Sequence, residues 1–327
     1  MIKLCVDMMG SDLGPSELAD ACIKLVNDYK DVSLFCFGKK EELTKLNGVE
    51  RIEVVDCKDV VPMECGALKL MRLKESSMVK SITYMKDNSL DGVVSAGSTG
   101  GFITGCTLFL KNVPGVERAG FCAPFVTAKK NKQAVILDIG ASNTNTGSEL
   151  YGFAKLGKIY AETVLNEKNP TVYTLSNGAE EGKGTEEVKE AYKLLKADET
   201  INFKGNCEAR EALDGEHDII VTAGYPGNIF LKSTEGCASM MNNMIKKAFK
   251  RSLLSKIGYL FSKKGFDDMK ETMDYRKTGG AILLGINGVA VKSHGNANAY
   301  AFYHTLEIGY RMAKNNIVKR VEEVFAK

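Results

Sequence analysis

No apolar run reaches the roughly 18 residues a helix needs to span a bilayer, so no membrane-crossing helix is expected. The start of the chain lacks a basic n-region, an apolar h-region and a small-residue cleavage site. Met1 to Val6 reads instead as a strand, and a cytoplasmic protein is expected. The nine cysteines are an odd number, form no CxxC pair and no Cys/His cluster, and sit mostly in apolar runs, as at Cys5, Cys36, Cys106 and Cys122. The ligand spacing of a structural zinc site is missing, which points to buried, reduced thiols. Neither the P-loop pattern nor the dinucleotide G-x-G-x-x-G occurs. Charge of one sign is also scarce: the 327 residues carry a net +3, which argues against a nucleic-acid binder. There is no repeat, low-complexity tract or Pro/Ser-rich linker, so residues 1–327 are expected to form a single bilobal domain.

What is present is a set of turns. Apolar runs end in Ser95 to Gly101, Asp138 to Asn143, Ser176 to Gly184, Ala223 to Asn228 and Ser293 to Asn296, each rich in Gly, Ser, Thr or Asn. Such turns on strand ends form one crevice floored by N–H groups, the way an open α/β sheet binds phosphate.

Short β-branched runs at 2–6, 32–37, 51–55, 92–95, 134–138, 171–175, 201–204, 218–222, 281–285 and 289–292 read as strands. Helical patterns fill 15–29, 63–87 (one helix or two), 98–111, 147–166, 184–197 and 226–251, and a single long helix is expected over 297–325. The alternation predicts an α/β protein, a three-layer α/β/α sandwich on a mostly parallel sheet.

Several residues in the turns suit anion chemistry. Ser98, Thr99 and Gly100 open a helix whose N–H groups and dipole favour an anion, although Ser98 or Thr99 would serve equally as a plain N-cap. Asn177 and Gly178 belong to a glycine-rich loop that carries Lys183, a point charge suited to phosphate or to solvent. His294 stands at a strand end before Gly295 and Asn296, placed for proton transfer or for a local structural bond. Asp7 and Asp12 flank the turn after the first strand, where they orient a catalytic group or cap the next helix. Residues 246–264 hold seven Lys/Arg and no acid. Within them Leu253, Leu254, Ile257, Leu260 and Phe261 share one helical face, the pattern of a basic amphipathic helix on an anionic membrane or of a core or dimer helix.

Taken in order, Asp7 to Asp12, Ser95 to Gly100, Asn177 to Gly184, Phe203 to Glu208, Gly227 to Lys232 and Tyr275 to Gly295 resemble the acyl-carrier-protein:phosphate acyltransferases of bacterial phospholipid synthesis. The resemblance implies transfer of a long-chain acyl group from acyl-ACP to inorganic phosphate. It also implies a fold similar to isocitrate and isopropylmalate dehydrogenases, a homodimer, and no metal or cofactor. Peripheral attachment to an anionic membrane through a basic amphipathic segment at about 246–273 is implied too. Phosphate then attacks the thioester directly. Lys183, Asn228 and His294 are expected to carry the chemistry, and Asp7, Asp12, Ser98, Thr99, Gly100, Ser142, Asn177, Gly178, Lys232 and Lys292 to line the substrate site. The chain departs from the family's usual residues at Met8 to Ser11, at Ser98 and Ser142, and at Ala223, where the family has Asp. Two other functions fit the residues: a phosphate acyltransferase that uses acyl-CoA, and a non-catalytic membrane scaffold.

Overall fold

The computed structural model of the protein describes residues 1–272 and 278–326. Tyr275 to Lys277, within one of the motifs above, residue 273, at the end of the expected basic segment, and Asp274 between them lie outside the described residues. The elements run β1 (Ile2–Asp7), α1 (Pro15–Asp28), β2 (Val32–Gly38), β3 (Ile52–Asp56), α2 (Ala67–Leu70), α3 (Ser77–Asp87), β4 (Gly92–Ser95), α4 (Thr99–Leu110), β5 (Gly120–Val126) and β6 (Gln133–Leu137). They continue with α5 (Gly147–Thr163), β7 (Thr171–Ser176), α6 (Glu186–Ala197), β8 (Asn202–Glu208), β9 (Ile219–Val221), α7 (Gly224–Lys250), α8 (Leu253–Thr272), β10 (Ala281–Leu284), β11 (Val289–Lys292), α9 (Ala299–Lys314) and α10 (Ile317–Phe325).

One 11-stranded sheet carries the chain in the order β3-β2-β1-β4-β11-β10-β5-β6-β9-β7-β8. Side-chain alternation splits its core into two. Leu4 and Val6 of β1 face α1 and α9, whereas Cys5 faces the side covered by α3 and α4. Apolar side chains on both faces of the same strands are what a sheet sandwiched between helix layers demands, so the α/β/α expectation holds.

The sheet consists of two parallel blocks, β3-β2-β1-β4-β11 and β6-β9-β7-β8. Three antiparallel pairings join them, β11 to β10, β10 to β5 and β5 to β6. Three reversals leave the blocks running in opposite directions, with their carboxyl ends at opposite edges.

Two expectations need correction. The β5 strand is absent from the sequence reading because Pro124 breaks the strand pattern. The ladder admits it for a geometric reason. Phe121 N–H donates to Asp138 and Phe121 O accepts from Ile139 N, so alternate residues of β5 face β6. Pro124 therefore faces the other neighbour, and β10 pairs only with Gly120 to Cys122. The missing N–H has no strand to bond there. The long C-terminal helix is two helices. Asn316 adopts a left-handed φ of 53° and ψ of 43°, and the Asn315 side chain donates to Thr163 O. Asn tolerates that backbone region where most residues do not.

The expected basic segment is also divided. Its first residues end α7, and α8 folds back on it, clamped by the rings of Phe249, Tyr259 and Phe266, whose centroids lie 4.8–5.8 Å apart. Leu253, Leu254, Ile257, Leu260 and Phe261 all point to solvent, Phe261 with 88% of its surface open. An apolar row this exposed is not core packing in this chain. No described helix is long and apolar enough to cross a membrane.

Candidate active site

Helix α7 connects the two blocks. Its first residue lies at the carboxyl end of β9, beside the turn after β6. A Cβ at Gly224 would stand 2.0 Å from Ser142 O, and one at Gly227 would stand 1.9 Å from Asp138 O. Only glycine lets the helix seat this close. Further along, the Phe230 ring packs on Phe125 of β5, with centroids 5.8 Å apart. Glu235 then reaches the carboxyl end of β11, where its carboxylate lies 3.9 Å from His294 Nε2. Asn228, Lys232 and Glu235 follow at i, i+4 and i+7, so one face of α7 runs from the first turn to the second.

The Asp138 end is held by a buried carboxylate. Asp138 accepts from the N–H groups of Phe121, Gly140, Ala141 and Ser142 and from Ser142 Oγ at 2.8–3.0 Å. Burial pushes its pKa up, against the pull of these donors. Ser142 Oγ also lies 2.9 Å from Asn145 Oδ1, which accepts Gly224 N–H and so secures the start of α7. Asn228 packs over Gly140, whose φ is 129°. Ala223 is the residue before α7.

The loop carrying Asn177, Gly178 and Lys183 follows β7 at the same edge. Asn177 Oδ1 accepts Gly184 N–H, and Asn206 Nδ2 donates to Glu180 O, which together fix the loop's shape. Lys183 is exposed, with its methylenes folded over Gly178.

The His294 end gathers residues from three strands. Asp7 accepts from Ser95 Oγ at 2.7 Å, and Ser95 Oγ in turn accepts Gly97 N–H at 3.0 Å. This chain fixes the turn that leads to α4. There Ser98 Oγ donates to Met63 O and accepts Gly101 N–H, so its side chain acts as an N-cap. Thr99 and Gly100 are exposed at the first turn, ahead of the first intrahelical bond. The β1 and β11 turns are stitched together, since Asp12 N–H and Ser11 Oγ both donate to Gly295 O.

Lys292 is buried between these turns. Desolvation pulls its pKa down to about 8, opposed by Asp7 and Asp12. The same environment raises the Asp7 pKa, through burial first, against the bonds from Ser95 Oγ and Met9 N–H and the charge of Lys292. His294 sits in a recess above them. Loss of solvent lowers its pKa, Lys292 and Lys232 add to the effect, and Glu235 opposes it. The burial is partial, because 45% of the side chain stays open. At neutral pH the imidazole is therefore uncharged and able to accept a proton.

The structure thus groups Asp7, Asp12, Ser98, Thr99, Gly100, Lys232, Lys292 and His294 at one end of the α7 face. It places Ser142 and Asn228 at the other, with the Asn177, Gly178 and Lys183 loop beside them at that edge. Asn228 and Glu235 are about 10 Å apart along the helix. Two residues at the cleft escaped the sequence reading. Asp138 stood inside a turn that was singled out, but its role depends on Phe121 from another strand. Glu235 belongs to no motif, and only the course of α7 brings it to His294. Among the described residues no group of three or more His, Cys, Asp or Glu is placed to hold a metal.

Over its whole length the chain is similar to the phosphate acyltransferase of Clostridium perfringens (strain SM101 / Type A), 38% identical over 332 aligned positions that cover 100% of this chain and 97% of that one. This likeness defines its class, an acyltransferase. Residues 2–320 match the family model described as fatty acid synthesis protein, and the chain belongs to that family. Among solved structures it resembles a phosphotransacetylase from Streptococcus pyogenes, with a TM-score of 0.64 at 15% identity, covering 96% of this chain and 94% of that one. It also resembles the 4-hydroxythreonine-4-phosphate dehydrogenase of Klebsiella pneumoniae, with a TM-score of 0.53 at 9% identity, covering 95% and 99%. These two likenesses are of fold, and they bear out a dehydrogenase-like α/β architecture.

Proposed function

We propose that this chain transfers a long-chain fatty acyl group from an acyl carrier protein to inorganic phosphate, giving acyl phosphate for phospholipid synthesis. The observation that carries the reading is the meeting of Lys232, Lys292 and uncharged His294 beside the open first turn of α4. Two ammonium groups and a helix N-terminus suit a phosphate dianion. A phosphate oxygen attacks the thioester carbonyl carbon, the C–O bond forms, and the C–S bond breaks as the carrier leaves as thiolate. The phosphate O–H proton passes through His294 to that sulfur, so atoms and charge balance. Asn228 and Lys183, from the other end of the α7 face, supply a hydrogen bond and a positive charge to the carbonyl oxygen as it becomes an oxyanion. Asp7, Asp12, Ser142, Asn177 and Gly178 hold the turns that present these groups. Both blocks of the sheet contribute, so the chain acts as one bilobal unit, and two copies form a homodimer.

The exposed α8 row favours a membrane-bound product path over one that uses acyl-CoA in bulk water. Its apolar face seats in an anionic bilayer while the nearby lysines meet the headgroups. The protein is then a peripheral membrane enzyme.

Purified protein given palmitoyl-ACP and inorganic phosphate is expected to form acyl phosphate, trapped as its hydroxamate, at a rate that saturates with phosphate. Inert palmitoyl-ACP alongside active palmitoyl-CoA would move the donor to the coenzyme, and no product from either would leave a scaffold. In a separate sedimentation experiment, Leu254→Glu with Phe261→Glu is expected to lower binding to phosphatidylglycerol vesicles roughly tenfold or more, since two large apolar groups are lost from the interface. Equal sedimentation of variant and parent would rule out α8 as the attachment.

A further inference from the structure

One charged group beside His294 has no part in the chemistry above. Glu235 lies 3.9 Å from His294 Nε2 and 2.9 Å from Lys232 Nζ, and it is half-buried. We propose that Glu235 is a positioning residue for His294, with its carboxylate choosing which imidazole nitrogen carries the proton and holding the ring toward the bound phosphate. The proposal rests on His294 being the proton-transfer group.

Three observations support it. First, a carboxylate in an anion-binding cleft repels the substrate, so this one weakens phosphate binding by charge alone. Second, 3.9 Å is within ion-pair reach but longer than a hydrogen bond. A shift of about 1 Å by either side chain makes the bond, and catalytic contacts of this kind commonly tighten only when substrate binds. Third, the carboxylate is braced. Lys232 holds it from one turn away on the same helix, and α7 is itself fixed at Gly224 and Gly227. Among the described residues, the charged groups facing the ring include Glu235 and Lys232 from α7 and Lys292 from β11, with Asp12 beside Gly295 from the turn after β1. A carboxylate that orients an imidazole and stabilises its protonated form is a recurrent device of acyl-transfer sites.

The test reads the imidazole directly. The chain has three histidines, and His217 and His304 pair with Asp214 and Glu307, so both serve as internal references. In nitrogen-15 NMR titrations of the whole protein, Glu235→Gln is expected to lower the His294 pKa by roughly half a pH unit and to change its tautomer ratio. Lys232→Met is expected to raise that pKa, because it removes a repelling charge and frees the carboxylate. In turnover, Glu235→Gln is expected to cut kcat roughly tenfold with KM for phosphate unchanged or lower, and Glu235→Asp to recover part of the loss. The acid limb of the pH profile moves to lower pH in the same variant. An unchanged His294 titration and tautomer ratio in Glu235→Gln would overturn the proposal. So would kcat within twofold of the parent. Failure of the underlying reading is distinct: His294→Ala would then leave turnover intact, whatever Glu235 does.

Discussion

Replacing His294 by alanine is expected to reduce acyl phosphate formation by roughly 10²–10³-fold at pH 7.5, with the circular dichroism spectrum and thermal midpoint preserved. On the proposed mechanism the size follows from two jobs lost together: proton transfer from phosphate to the departing sulfur, and a hydrogen bond to phosphate in the transition state. Preservation of the fold follows from position, because the side chain is nearly half open and the turn around it is held by Asp12 N–H and Ser11 Oγ through Gly295 O. The pH dependence has a definite sign. Desolvation and the two lysines lower the His294 pKa below the ordinary histidine value. Activity that needs the uncharged ring therefore rises with pH through that lowered pKa, with its limb centred below the ordinary histidine value. Rates measured between pH 5 and 8 test both points. A loss smaller than twofold in the alanine variant, or a limb centred above pH 7, would remove His294 from the chemistry.

The largest effect on stability is expected at Asp138. Its carboxylate takes four backbone N–H groups and one hydroxyl in a region closed to water. In Asp138→Ala those donors lose their acceptor together. A cost of about 3–5 kcal/mol is expected, in line with breaking one side of a buried charged network. Asp138→Asn keeps the shape and one acceptor oxygen, so its cost is expected to be about half as large. Urea titrations read the difference as a lower midpoint at constant slope. A change under about 1 kcal/mol in the alanine variant would mean the turn is held elsewhere, by Asn145 and the seating of Gly224. Activity is expected to fall in parallel, because Ser142 and Asn228 stand on the same turn and helix.

The layer architecture was legible because the strands of the two blocks carry their own apolar runs, and those at β4, β6, β7, β9 and β11 end in small polar turns. The exposed face of α8 was legible for a similar reason, since the spacing of Leu253, Leu254, Ile257, Leu260 and Phe261 is a local property. The sequence left that face open between membrane, core and dimer, and burial within the chain removes one of the three. Long-range features were not legible. Whether Pro124 can enter a strand depends on where β10 stops. Whether a helix continues past Lys314 depends on two asparagines, one of them anchored to Thr163. Most of the candidate site residues could be picked out because strand-end turns advertise themselves. Their division into two ends of one helix face could not, because it depends on the opposite directions of the two blocks and on how closely α7 seats at Gly224 and Gly227.

The continuity of α7 fixes a stand-off. From Glu235 to Lys250 the helix runs on without a break for about 22 Å before α8 turns back beside it. Whatever surface receives the apolar row of α8 is thereby held at a set remove from the His294 cleft, with Met240, Met241 and Met244 exposed along the way. On the proposed function, an acyl chain released at His294 would find flexible apolar footholds on the helix that leads to that surface. Lengthening or shortening α7 by whole turns beyond Glu235 would change the remove without disturbing the cleft, and would separate making the product from delivering it.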